Sequence, residues 1–186
     1  MAAVASRASA AAPHEPAMKY ELRAAVSDDQ PFLWQMLYYA AHMDESGEPP
    51  ESARANPELA PYVEGFGRRG DLGVIALDSA TGAPAGAAWI RTMPAAWPLY
   101  RFVAASTPEL AIAVTPAHIG RGAGSLMIPR LLASAAALYP AVALSVRANN
   151  PAKSLYQRMG FTTVAEITNR VGGKSFIMRA GLSASP

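Results

Sequence analysis

Three glycines in five positions carry the clearest capacity for chemistry: Gly120, Gly122 and Gly124, in the stretch Gly120-Arg121-Gly122-Ala123-Gly124. They follow an apolar run from Glu109 to Val114 and precede a long apolar-periodic segment that reaches Tyr139. That order reads as strand, loop, helix. A helix opening there presents unpaired backbone N–H groups and the positive end of its dipole. Glycine removes the Cβ that would hold a ligand off the backbone. The implied chemistry is anion binding, with phosphate or pyrophosphate as the natural ligand. Spelling excludes two phosphate loops. The form G-x-x-x-x-G-K-[ST] needs a Lys after its last glycine, and none follows here. A dinucleotide loop G-x-G-x-x-G begun at Gly120 needs glycine at 125, where Ser125 stands. A tight strand-to-helix turn is the plainer reading, but three glycines in five residues exceed what a turn needs.

The elements that must position this loop can be read outward from it. Tyr20 to Arg23 alternates like a short strand, and residues 29–43 form an amphipathic helix with Ser27, Asp28 and Asp29 as N-caps and Pro31 in the first turn. A weaker helix covers about 51–65, interrupted by Pro57 and Pro61 and stopped by Gly65, Gly67 and Gly70. Residues 72–77 and 85–92 read as a hairpin about Thr81-Gly82, and 93–108 as an irregular Pro-rich loop. Residues 109–114 suit a buried strand. The helix after Gly122 has Ile128, Leu131, Leu132, Ala135 and Leu138 on its buried face and a kink expected at Pro129. A strand over 141–146, a helix over 151–159 capped by Asn149 or Asn150 and ended by Gly160, and a hairpin about Gly172-Gly173 complete the chain. Residues 1–17, rich in Ala, Ser and Pro, read as a disordered leader, 18–182 as one domain, and 183–186 as a tail.

Two motifs give these elements a family. Val114-Thr115-Pro116-Ala117-His118-Ile119-Gly120-Arg121-Gly122-Ala123-Gly124 resembles the pyrophosphate loop V-x-P-x-x-[RQ]-G-x-G-x-[GA] of the GCN5-related N-acetyltransferases, departing from it at Ile119. Leu144 to Phe161 fits that family's L-x-V-x-x-x-N-x-A-x-x-L-Y-x-x-x-G-F throughout, with Asn150, Ala152, Tyr156 and Gly160 in place. The resemblance spans about residues 20–180. It implies an α/β (α+β) fold: a mixed, mostly antiparallel sheet of about six to seven strands with a central splay, flanked by about four helices. Acetyl-CoA is then the expected cofactor. Its pyrophosphate would lie on the amides of Ile119, Gly120, Arg121, Gly122, Ala123 and Gly124, and its pantetheine arm along Ile112, Ala113 and Val114. Ser125, Asn150 and Lys153 complete the expected cofactor set. Tyr156 would protonate the leaving thiolate, since a phenol holds its proton more tightly than a thiol. An acceptor amine is mostly protonated at neutral pH, so a base is needed, and Glu109 is the candidate, acting directly or through a water. Trp34, Tyr38, Trp89 and Arg91 are expected to wall the acceptor pocket, with Trp97 and Tyr100 as a lid. Plainer readings stand beside these: Tyr156 as a core aromatic, Asn150 as an N-cap, and Glu109 as a solvated residue at a strand start.

Composition narrows the field further. Of 186 residues, 51% are hydrophobic and 16% charged, which excludes global disorder. The absence of Cys removes a thiol nucleophile, a disulfide framework and a Cys-ligated metal, and the three His are too scattered for a metal site. A net charge of +2 with no basic stripe argues against nucleic acid. No apolar run approaches the roughly 20 residues needed to span a bilayer. The expectation is a cytoplasmic enzyme that acetylates a primary amine on a small molecule or peptide, needs no metal, and has a C-terminal hairpin edge available for a homodimer. Two rivals share the loop: a catalytically inactive acyl-CoA-binding sensor of the same fold, and a nucleotide-phosphate binder of an unrelated α/β fold.

Overall fold

The computed structural model describes residues 19–169 and 171–183. The expected leader (1–17), and all of the expected tail but Ser183, lie outside them. Seven strands form one sheet: β1 (Tyr20–Ala24), β2 (Leu72–Asp78), β3 (Pro84–Arg91), β4 (Glu109–Val114), β5 (Ala141–Arg147), β6 (Thr162–Thr168) and β7 (Lys174–Gly181). Their order is β1-β2-β3-β4-β5-β7-β6. Every neighbouring pair is antiparallel except β4 and β5, which are parallel. Four α-helices flank the sheet: α1 (Gln30–Ala40), α2 (Ser52–Ala55), α3 (Ala123–Ala135) and α4 (Ala152–Arg158).

The central strands read as continuous apolar runs because both faces of the sheet are covered. Side chains alternate between faces along a strand. Val74, Ala76, Ala88, Ile90 and Leu110 pack with α3 residues Met127, Ile128 and Leu131 and with Tyr156 of α4. Ile75, Ala87, Trp89 and Ala111, one position out of phase, pack with Leu33, Met36 and Leu37 of α1. Each of those three α1 side chains is at most 2% exposed and contributes about 1.5–3 kcal/mol by leaving water. The entry to α1 is fixed by Asp29, which accepts a hydrogen bond from the Val26 amide at 2.8 Å and pairs with both Arg23 guanidinium nitrogens at 2.7 and 2.8 Å.

Three elements differ from expectation. The helix expected to reach residue 43 ends at Ala40, and His42 adopts a left-handed φ of 57°, which a helix cannot continue through. The helix expected over 51–65 is α-helical only from Ser52 to Ala55. Asn56, forced extended before Pro57, stops it at ψ 114°, and a 3-10 turn over Ala60–Tyr62 follows. The helix expected to run to Tyr139 ends at Ala135 with Pro129 inside it, and Leu138, expected on its buried face, lies past its end and is 58% exposed. Pro129 is exposed, so the carbonyl it leaves without a donor is on the side that water reaches.

Candidate active site

The site begins where the sheet opens. Strands β4 and β5 meet at a single register pair, Glu109 with Ala143, where the Ala143 amide donates to the Pro108 carbonyl at 3.1 Å. Beyond that pair they diverge. Strand β4 is paired along its whole length with β3, while its other edge, from Ile112 to Val114, has no strand partner. A cleft of about 1100 Å³ fills the gap. It is lined by β4, by the β5 segment from Leu144 to Arg147, by the start of α3, and by Asn150, Leu155 and Tyr156.

The glycine loop closes one end. Gly120 and Gly122 take φ of 71° and 93°, conformations that L side chains rarely adopt, and a Cβ built on either would meet nothing within 4 Å. The open space therefore lies directly over the backbone. Not every amide of the loop is available. Those of Ile119 and Arg121 donate to the Pro116 and His118 carbonyls, at 3.4 and 3.2 Å. The first-turn amides of α3, from Ala123 to Ser125, have no intrahelical acceptor by helix geometry. Ile112, Ala113, Val114, Ile119, Gly120, Gly122, Ala123, Gly124, Ser125 and Asn150 all line the cleft. Arg121 is exposed and outside that lining, and the Lys153 ammonium sits 3.6 Å from the Phe176 ring centroid, so neither is aimed into the cleft. His118 ties the loop to the sheet: its Nδ1 is 2.9 Å from the Tyr20 hydroxyl and its Nε2 3.7 Å from Asp78.

The acid and the base expected from the sequence, Tyr156 and Glu109, both line the cleft. Tyr156 is 8% exposed, with its ring edge-on to Phe161, and burial pushes its phenol up to about 12. It keeps its proton across the neutral range. Glu109 is 3% exposed, and burial raises its carboxyl to about 7 against the opposing hydrogen bonds of Tyr62 and Trp97. The Trp97 indole N–H donates to it at 2.6 Å. Glu109 in turn pushes the buried Tyr62 phenol further up, after burial itself. Asn150 does what a cap does, accepting from the Ala152 amide at 2.8 Å through Oδ1, while its Nδ2 lies 3.5 Å from His42 Nε2.

Residues 72–163 match the family model described as an acetyltransferase (GNAT) domain, and that stretch contains the splayed strands, the glycine loop, Glu109 and Tyr156. The chain contains a GNAT acetyltransferase domain. Solved structures share its fold. A GNAT-family acetyltransferase from Bordetella pertussis, described as putative, is 18% identical, with 90% of this chain and 98% of that chain covered and a TM-score of 0.65. A spermidine N-acetyltransferase chimera from Vibrio cholerae is 17% identical, with coverage of 88% and 95% and a TM-score of 0.61. An acetyltransferase of this family from Streptococcus pneumoniae is 18% identical, with coverage of 88% and 99% and a TM-score of 0.61. No curated protein sequence gives a match.

The acceptor side of this GNAT domain differs from expectation. Trp34, Tyr38, Trp89 and Arg91 do not line the cleft. Trp34 stacks under the Arg54 guanidinium at 5.3 Å, and the Tyr38 hydroxyl donates to the Glu48 carbonyl at 2.8 Å. Trp89 and Arg91, both 0% exposed, point into the layer between the sheet and α1. There they fasten the segment that carries Tyr62. The Trp89 indole donates to the Tyr62 carbonyl at 2.8 Å, and Arg91 donates to the carbonyls of Pro61, Glu64 and Gly65 and to Asp71. Arg91 is the strand partner of Glu109, so one segment covers both residues. The pocket wall itself comes from Tyr39, His42, Tyr62, Trp97, Leu99 and Phe102. The sequence singles out Trp97 by its place in the Pro-rich loop, but nothing local marks Tyr62. Among the described residues no group of His, Asp or Glu is arranged to hold a metal, and no helix is long and apolar enough to cross a membrane.

Proposed function

We propose that this protein transfers an acetyl group from acetyl-CoA to a primary amine. The observation that carries the reading is one cleft in which an unpaired strand edge, unpaired helix amides, a protonated phenol and a carboxyl poised near neutrality converge. The first-turn amides of α3 and the open backbone at Gly120 and Gly122 would hold the pyrophosphate, and the free edge from Ile112 to Val114 would pair with the pantetheine amides. When bound, acetyl-CoA supplies a thioester that the amine attacks directly, forming the amide C–N bond and breaking the C–S bond.

The side chains manage the protons. Glu109 accepts the proton that the acceptor ammonium must shed, directly or through one water. Tyr156 offers its phenolic proton to the leaving sulfur and is reprotonated, through water, by the second proton that the nitrogen sheds as the amide forms, while Glu109 returns its proton to solvent before the next turnover. Positioned acid–base groups of this kind contribute roughly 10²- to 10⁴-fold each. The test is calorimetric titration of acetyl-CoA into the purified protein, with ATP and NAD as controls, followed by thiol release with a set of primary amines. Acetyl-CoA binding with amine-dependent thiol release is expected. Binding without release for any amine would support the inactive sensor, and binding of ATP or NAD alone would overturn the cofactor reading.

A further inference from the structure

Resting on that reading, the acceptor end of the cleft carries information about the amine. Glu109 lines the cleft beside a group of apolar and aromatic side chains. The Tyr62 and Trp97 rings meet edge to face at 5.6 Å, and Trp97 packs with Leu99 and Ile177 in one apolar cluster. All of them line the cleft. Phe102 and Val171, 43% and 62% exposed, give the lining an apolar rim.

Four carboxylates line the cleft: Glu109, in contact with Tyr62 and Trp97, and Asp44, Glu45 and Glu58. Glu45 is held by His42 and Arg147, each at 2.9 Å, and Glu58 is also engaged. Asp44 is the other carboxylate of the lining, and Arg101 and Arg147 add positive charge to it. A second ammonium beside that apolar group would be desolvated against rings and methyls with Glu109 already committed to the first. We propose that the acceptor is a monoamine whose amino group is joined by a short linker to an apolar ring-bearing body, the amine directed at Glu109 and the body held between Trp97, Leu99 and the Phe102–Val171 rim.

The experiment compares 2-phenylethylamine, ethylamine, spermidine and a lysine-containing peptide as acceptors at fixed acetyl-CoA, and measures 2-phenylethylamine binding calorimetrically in the presence of CoA. The expected kcat/KM for 2-phenylethylamine exceeds that for ethylamine by about 10-fold or more, the scale on which apolar pockets discriminate. Phe102→Ala lowers the ratio of kcat/KM for 2-phenylethylamine over ethylamine by about 10-fold. A higher kcat/KM for spermidine or the peptide than for 2-phenylethylamine overturns the inference while leaving the transferase intact. Calorimetric binding of 2-phenylethylamine without any turnover leaves the pocket reading standing and removes the transferase reading. No binding of that amine overturns the inference whatever the turnover.

Discussion

Replacing Glu109 by Gln tests the buried base through stability as well as rate. The carboxyl is raised from 4.5 to about 7, chiefly by burial. The native state therefore holds a proton that the unfolded chain releases between those values, and wild-type stability falls as pH rises from about 4.5 to about 7. At about 1.4 kcal/mol per unit, ionising Glu109 in place costs about 3 kcal/mol above pH 7. Gln keeps the acceptor for the Trp97 indole and never ionises. The assay is equilibrium urea unfolding of wild type and Glu109→Gln at pH 4.5 and pH 8. The variant should gain about 2–3 kcal/mol on the wild type between the two pH values, because all other titrations cancel in the difference. Its kcat/KM should fall about 100-fold or more, and should lose the rise through pH 7 that the wild type shows as Glu109 ionises. Parallel stability–pH curves for the two proteins would refute the reasoning, since a solvated Glu109 would neither destabilise the fold at pH 8 nor act near neutrality.

Three further outcomes follow from other parts of the structure. Tyr156→Phe should lower kcat about 100-fold with the calorimetric affinity for acetyl-CoA unchanged, whereas a parallel loss of affinity would make Tyr156 a packing residue only. Gly122→Val places a branched side chain at φ 93° in the space above the loop backbone, so acetyl-CoA affinity should drop by at least about 10-fold while far-UV circular dichroism is retained. Asp71→Asn leaves Arg91 as a buried cation, its Nε already without a partner. Urea unfolding should register a loss of about 3–5 kcal/mol, and tryptophan emission should report loosening around the segment that Trp89 and Arg91 fasten.

The glycine-loop end of the cleft was legible in the sequence because backbone conformation builds it, and glycine is the residue that records backbone conformation. Gly120 and Gly122 sit at positive φ, and β4, the loop and α3 are contiguous in the chain, so one stretch of text contains the whole cradle. The seven strands were legible for a related reason. A sheet buried on both faces writes apolar runs, and the turns between them are written in Gly, Asn and Asp. The helical segment after residue 50 was misread because Asn56, before Pro57, is pushed extended and ends α2, and only a short 3-10 turn with Pro61 inside it follows.

The Glu109 end was not legible because it is assembled from side chains far apart in the chain, and periodicity cannot say which of two covered faces leads to a pocket. Trp89 and Arg91 alternate correctly with Ala88 and Ile90, yet both faces of β3 are roofed by helices, so either choice buries them. What decides the site is one step further out. Tyr62 reaches Glu109 only because an indole and a guanidinium on β3 hold the carbonyls around it, at positions 27 to 30 residues away in sequence. Two of the four residues expected to wall the acceptor pocket, Trp89 and Arg91, instead hold the segment of a residue that meets Glu109. Substitutions at Trp89 or Arg91 should consequently alter the pH dependence of turnover through Glu109 without altering which amines enter, which separates positioning from contact in a single pH–rate series.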